Sequence, residues 1–187
     1  FSGGDALVMS ATGSGKTLAF AVPVVELVVE MSIQGLSCLC VLPTKDIALQ
    51  VYDVFAQLCE GSTARVVLLC GDRSFFAEQT ALQEAPQIVV CTPGRLRDHL
   101  LGSITAEMLH GLRWLVIDEG DRLLGEQYHQ WLEDLMPLLR HPVDYVDGPF
   151  ETPPLQKLVF SATMTSNPRK LAKLKLYRPV FFHTTDA

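Results

Sequence analysis

Ser10–Thr17 reads SATGSGKT, between an apolar run at Ala6–Met9 and a longer apolar-rich run over 18–29. A strand that ends in a glycine-rich turn and opens into a helix is the setting a phosphate-binding loop requires. Gly13 and Gly15 permit backbone angles that side chains forbid, so consecutive N–H groups can turn inward around an anion. The helix that follows adds unpaired N–H groups and the positive end of its dipole. Lys16 would place an ammonium on the β- and γ-phosphates, and the Thr17 hydroxyl would ligate Mg2+. The full pattern asks for Gly or Ala at its first position, where this chain has Ser10; the GSGKT core is intact. A glycine-rich turn with a surface lysine is the alternative, and it leaves the agreement of strand, turn and helix unexplained.

A second cluster is Val116-Ile117-Asp118-Glu119, two carboxylates at the end of an apolar strand. Downstream of a phosphate loop this fits a Walker B element. Asp118 would hold Mg2+ through water opposite Thr17, and Glu119 would polarise the attacking water as general base. Read alone, the pair would serve equally as a solvated acidic loop. Ser161 and Thr163 close another apolar strand. Their hydroxyls can bond the 118–121 segment and pass on the state of a γ-phosphate, or simply cap a helix. Three further loops carry hydroxyls and a cation each: PTKD at 43–46, GDRS at 71–74 and TPGR at 92–95. Such helix openings make phosphate seats, and a row of them can follow a strand backbone without reading bases; plain capping would use the same residues.

The elements that must place these groups alternate. Strands are expected over 6–9, 36–42, 65–70, 87–91, 114–117, 155–160 and 180–183. Helices are expected over 15–31 (with Pro23 inside), 44–58, 75–83, 95–101, 105–112, most of 120–139, and 167–176. Ile47, Val51, Val54, Phe55 and Leu58 recur at helical spacing on one face, and Ser74 is placed to cap the third helix. The four prolines within 141–154 mark an irregular excursion. The alternation implies an α/β domain with a parallel sheet, helices on both faces and the site at the strands' carboxyl ends.

Composition limits the partners. The chain has 187 residues, 48% hydrophobic and 19% charged, enough for one α/β core and too apolar for disorder. Its net charge of −6 provides no global field for nucleic acid, so any such contact must be local. No apolar run approaches the roughly 18 residues of a membrane span, so no membrane partner is expected. The cysteines Cys38, Cys40, Cys59, Cys70 and Cys91 are odd in number and too sparse for a zinc site; they read as buried free thiols of an intracellular, reducing compartment.

The order SATGSGKT, PTKDIALQ, GDRS, TPGRL, DEGD and SAT resembles the first RecA-like domain of a DEAD-box RNA helicase, over nearly the whole chain. That resemblance implies a RecA-like fold, ATP and Mg2+ as cofactors, and RNA held through its backbone without sequence preference. Thr12, Gly13, Ser14, Gly15, Lys16 and Thr17 would bind the triphosphate. Thr17 and Asp118 would serve the metal, and Lys16, Asp118 and Glu119 the hydrolysis. Asp121, Ser161 and Thr163 would couple nucleotide state to RNA and to a partner domain. Pro43, Thr44, Lys45, Gly71, Thr92, Gly94 and Arg95 would lie along the RNA phosphates. The flanks at 121–132 and 154–171 look like the branch acting in large-subunit ribosome biogenesis, which implies the nucleolus and pre-ribosomal proteins. A non-catalytic ATP- and RNA-binding clamp, or another phosphate-loop NTPase driven by nucleic acid, remains the alternative.

The chain departs from the family pattern at Ser10, at Lys45 and Asp46 (Arg and Glu in the family), at Asp72 (Gly) and at Gly120 (Ala). Lys45 keeps a charge but loses a planar fork. Asp72 brings a negative charge to the expected RNA path, and Gly120 adds backbone freedom between carboxylates. The chain opens without an initiator Met and is expected to be a piece of a longer protein, without the family's upstream glutamine motif and second RecA-like domain.

Overall fold

A computed structural model describes residues 4–11, 13–125, 130–139, 155–163 and 171–184. Seven strands form one parallel sheet: β1 (Ala6–Met9), β2 (Cys38–Val41), β3 (Val66–Leu69), β4 (Ile88–Cys91), β5 (Trp114–Ile117), β6 (Gln156–Ser161) and β7 (Val180–His183). Their spatial order is β3-β4-β2-β5-β6-β1-β7. The connecting helices are α1 (Lys16–Glu30), α2 (Lys45–Cys59), α3 (Phe75–Gln83), α4 (Pro93–Leu100), α5 (Ala106–His110), α6 (Gly120–Leu123) and α7 (Gln130–Leu135). Apart from the helix expected over 167–176, which ends at Ala172, the expected boundaries hold to within two residues except over the stretch expected to be mostly helical, 120–139. There α6 stops at Leu123, Leu124 and Gly125 are not helical, and α7 runs into a 3-10 turn at Met136–Leu138. Thr12, the excursion at 141–154 and the start of the helix expected at 167–176 lie outside the described residues.

Strand residues alternate between two cores, as the period of two demands. Cys38, Cys40, Ile88, Val90, Trp114, Val116, Leu158 and Phe160 pack with α1 and α2 on one face. Leu39, Val41, Val89, Cys91, Leu115, Ile117 and Val159 pack with α4 to α7 on the other. Central strands buried on both faces read as continuous apolar runs, which made them visible in sequence. Phe20 of α1 stacks against Phe55 of α2 at 6.0 Å and Phe160 of β6 at 5.1 Å between ring centroids. Truncating one such buried ring to alanine costs about 3–5 kcal/mol. This cluster fixes the helix behind the phosphate loop to the strand that carries Ser161. The thiols of Cys38, Cys40 and Cys91 are pushed up by burial, as inert core cysteines are.

The far edge is held by a residue that no sequence motif singles out. Asp5 is buried, and its Oδ1 accepts from the Lys157 N–H at 2.7 Å. Its Oδ2 accepts from the Tyr177 N–H at 2.7 Å and from Lys157 Nζ at 3.4 Å. One carboxylate thus pins β1, β6 and the approach to β7. Breaking a buried ion pair by removing one partner typically costs about 3–5 kcal/mol.

Candidate active site

The strand order explains how distant motifs meet. β6 lies between β1 and β5, with Met9 beside Ser161 and Ile117 beside Val159. The carboxyl ends of these three strands therefore place the loop at 10–17, Ser161–Thr163 and Asp118–Asp121 along one rim. A cleft of about 580 Å³ opens there, lined by Gly13, Gly15, Lys16, Thr17, Asp118, Glu119, Asp121 and Ala162. Ile47 and Gln50 of α2 close its other wall. Gln50 was not anticipated; its only signal was sharing a helical face with Ile47.

Gly13 and Gly15 take left-handed backbone angles, φ 82° and 86°, as the loop's turns require. Ser10 is buried, accepts from the Thr184 hydroxyl at 2.8 Å and donates to Ser14 Oγ at 2.6 Å. Its hydroxyl is paired on both sides, so the departure from alanine does not leave a buried polar group unsatisfied. Lys16 Nζ donates to the carbonyls of Ser10 at 2.8 Å and Ala11 at 2.7 Å. The ammonium is thus parked across its own loop, one short reorientation from the cleft it lines.

Asp118 is buried at the end of β5, and its Oδ1 accepts from the Glu119 N–H at 2.9 Å. Burial raises its carboxyl above the usual aspartate value, while that N–H and the Lys16 charge pull it back. A buried carboxylate facing a threonine hydroxyl across a cleft is a set of hard oxygen donors, which suits Mg2+. Glu119 sits in the left-handed region at φ 53°, rare for a residue with a side chain. Such strain gathers where geometry serves function. Its Oε2 accepts from Arg122 Nη1 at 2.9 Å, an exposed pair that is easily released. Gly120 follows for a packing reason rather than for freedom: a Cβ there would lie 2.9 Å from Val159 Cγ1 and 3.4 Å from the Phe160 carbonyl oxygen.

The hydroxyl cluster forms as its residues suggested. The Ser161 hydroxyl donates to Asp121 Oδ1 at 2.7 Å and receives the Asp121 N–H at 3.3 Å. Its single proton is contested by the Thr163 carbonyl at 2.6 Å, and Thr163 Oγ1 donates to Asp121 Oδ2 at 3.2 Å. A change at Asp121 is therefore felt at the end of β6.

The other half of the rim is built by β2, β4 and β3, which are adjacent, so the loops at 43–46, 92–95 and 71–74 open side by side. Pro43 is buried, Thr44 and Thr92 stand at the N-cap positions of α2 and α4 with extended backbones but without a side-chain capping hydrogen bond, and Gly94 is exposed. Two of the three cations there, Lys45 and Arg95, are already paired within the chain. Lys45 Nζ lies 2.6 Å from Asp72 Oδ1, both side chains about half exposed. Arg95 Nε donates to Glu78 Oε2, and its Nη1 lies 3.5 Å from Asp98 Oδ2. The Gly71 N–H is committed to Glu78 Oε1 at 3.0 Å, rather than left open for an anion. Glu78 escaped sequence reasoning because a single acid in a helix carries no motif.

A parallel sheet with a phosphate loop and a carboxylate pair at the ends of two strands that flank a third defines a phosphate-loop nucleotide-binding domain. The sequence profile of DEAD/DEAH box helicases matches residues 1–171, and the chain belongs to that family. It is 42% identical over 207 residues to ATP-dependent RNA helicase DDX51 of Danio rerio, covering 98% of this chain and 32% of the relative. It is 44% identical to ATP-dependent RNA helicase DBP6 of Meyerozyma guilliermondii, covering 98% of this chain and 29% of that protein. The chain therefore spans about a third of the length of these relatives. Among solved structures, a DEAD box protein from the hyperthermophile Methanococcus jannaschii superposes with a TM-score of 0.80 at 27% identity, over 97% of this chain and 46% of that one. Mss116p bound to single-stranded RNA and AMP-PNP gives a TM-score of 0.80 at 25% identity, over 98% of this chain and 37% of that one. The RecA-like fold expected from the sequence is the fold observed.

Proposed function

We propose that this chain is the first RecA-like motor domain of an ATP-dependent RNA helicase. The observation that supports it most is one cleft shared by Lys16, Thr17, Asp118, Glu119 and Asp121. Thr12 to Thr17 bind the triphosphate, with Lys16 moving from the carbonyls of Ser10 and Ala11 onto the phosphates. Thr17 and Asp118 would hold Mg2+, which would supply positive charge against the phosphates. Glu119, freed from Arg122, orients the attacking water and takes its proton. Asp121, Ser161 and Thr163 report the outcome to the rest of the motor. Pro43, Thr44, Lys45, Gly71, Thr92, Gly94 and Arg95 face the RNA backbone, and a second RecA-like domain closes both sites. The likeness to DDX51 and DBP6 proteins supports work on precursors of the large ribosomal subunit, in the nucleolus, among pre-ribosomal proteins.

An arginine supplied from a second domain is worth about 10³–10⁵ in rate in related phosphoryl-transfer sites. The full-length protein is therefore expected to hydrolyse ATP with RNA stimulation, and residues 1–187 alone to turn over negligibly. Multiple-turnover phosphate release with RNA, DNA or neither is the measurement. Equal stimulation by DNA would point to another nucleic-acid motor, and binding without turnover to a clamp.

Asp72 makes a separate prediction. A phosphate that reaches Lys45 must displace a carboxylate that it also repels. Asp72→Asn is expected to tighten RNA binding by the full-length protein about two- to five-fold at low salt. Fluorescence anisotropy across a salt series reads this, and unchanged affinity at every salt concentration would show that Lys45 does not face RNA.

A further inference from the structure

We propose that Glu78 is the positioning residue that sets Arg95 and the turn at 70–71 against the RNA backbone, an inference that rests on the RNA-binding reading above. Glu78 lies one turn inside α3, with its side chain 1% exposed. Its Oε1 accepts from the N–H groups of Cys70 at 3.3 Å and Gly71 at 3.0 Å. Its Oε2 accepts from Arg95 Nε and from His99 Nε2 at 2.9 Å. Two oxygens thus take four donors from the loop after β3 and from α4, which opens after β4. An ionised carboxylate is stable without water only when it is so fully engaged. Burial pushes the Glu78 carboxyl up, but the hydrogen bonds from His99, Arg95 and Gly71 outweigh it and hold it below the usual glutamate value. The group therefore stays charged at neutral pH.

The surroundings are rigid where they need to be. His99 is wholly buried, and its ring stacks on Phe75 at 4.4 Å and 10°. The Arg95 guanidinium lies 5.1 Å from the centre of the same Phe75 ring. With Nε given to Glu78, the guanidinium plane is fixed and its Nη edge is the part left at the rim. Among the described residues that edge makes only long contacts, 3.5 Å to Asp98 and 3.5 Å to the Arg73 carbonyl. Neither contact is short, so an RNA phosphate that approaches to about 2.7–2.9 Å makes the stronger, charge-assisted bond. The same carboxylate holds the turn that presents Asp72, the partner of Lys45. Two neighbouring seats on the RNA path therefore move as one unit with Glu78 at its hinge point.

The test is a double-mutant cycle in the full-length protein, read as RNA-stimulated ATPase. Glu78→Gln keeps the shape but removes the charge that Arg95 and His99 face. It is expected to raise the RNA concentration for half-maximal stimulation about tenfold, with kcat at saturating RNA little changed. Arg95→Ala should do the same, and the double variant should be no worse than either single one. Additive losses in the double variant, or a fall in kcat with KM unchanged, would overturn the proposal and reduce Glu78 to a folding element. If Glu78→Gln does not fold, Glu78→Asp, which keeps the charge but withdraws the carboxylate by one carbon, runs the same cycle with the same expected outcome. A wild-type protein that ignores RNA altogether would refute the RNA-binding reading, and this inference with it; a wild type that responds normally beside an unaffected Glu78→Gln would refute this inference alone.

Discussion

Lys16→Ala in the full-length protein is expected to weaken ATP binding by about 100-fold or more, with ATP turnover falling below detection. The magnitude follows from charge-assisted hydrogen bonds to phosphate, worth about 1.5–3 kcal/mol each, in a cleft where Lys16 is the one basic side chain among the described residues. Lys16 now bonds the carbonyls of Ser10 and Ala11, so its loss also frees the loop it spans. Titration with a fluorescent ATP analogue separates these effects, because loop loosening alone would leave substantial affinity. Near-normal affinity would show that the triphosphate lies elsewhere.

Glu119→Gln is expected to separate binding from hydrolysis. The amide keeps the side chain's size and the turn at φ 53°, so nucleotide and RNA should still bind. It cannot take a proton from water, and general base catalysis typically contributes about 10²–10⁴ in rate. Phosphate release at saturating ATP and RNA should fall by that factor. Normal hydrolysis would remove Glu119 from the mechanism and leave it as the partner of Arg122.

Much of this was readable before any coordinates. Strands buried on both faces announce themselves as short apolar runs, and the polar groups of the site directly follow such runs. The sequence could not tell that β6 inserts between β1 and β5, because strand order depends on which surfaces pack best after collapse. Nor could it tell that Asp5 would reach Lys157 and Tyr177. Contacts across more than a hundred residues leave no local pattern. The loops at 43–46, 71–74 and 92–95 were read as candidate seats for phosphate, and they do open together. Their internal pairing was not legible: Asp72 was seen as a charge in the way, not as the partner of Lys45. Most of 120–139 was expected to be helical, and among the described residues it is, apart from the break at Leu124 and Gly125.

Gly120 carries a consequence for comparing this chain with its relatives. The glycine that stands in for the family's name-giving alanine makes room for a branched side chain two positions ahead of Ser161. Residues 120 and 159 are therefore one spatial choice written at two places in the chain. An alanine reversion at 120 presses on β6 beside its hydroxyl relay, unless residue 159 shrinks as well. The spelling of the tetrad, taken by itself, is then a poor guide to whether a member of this branch can fire.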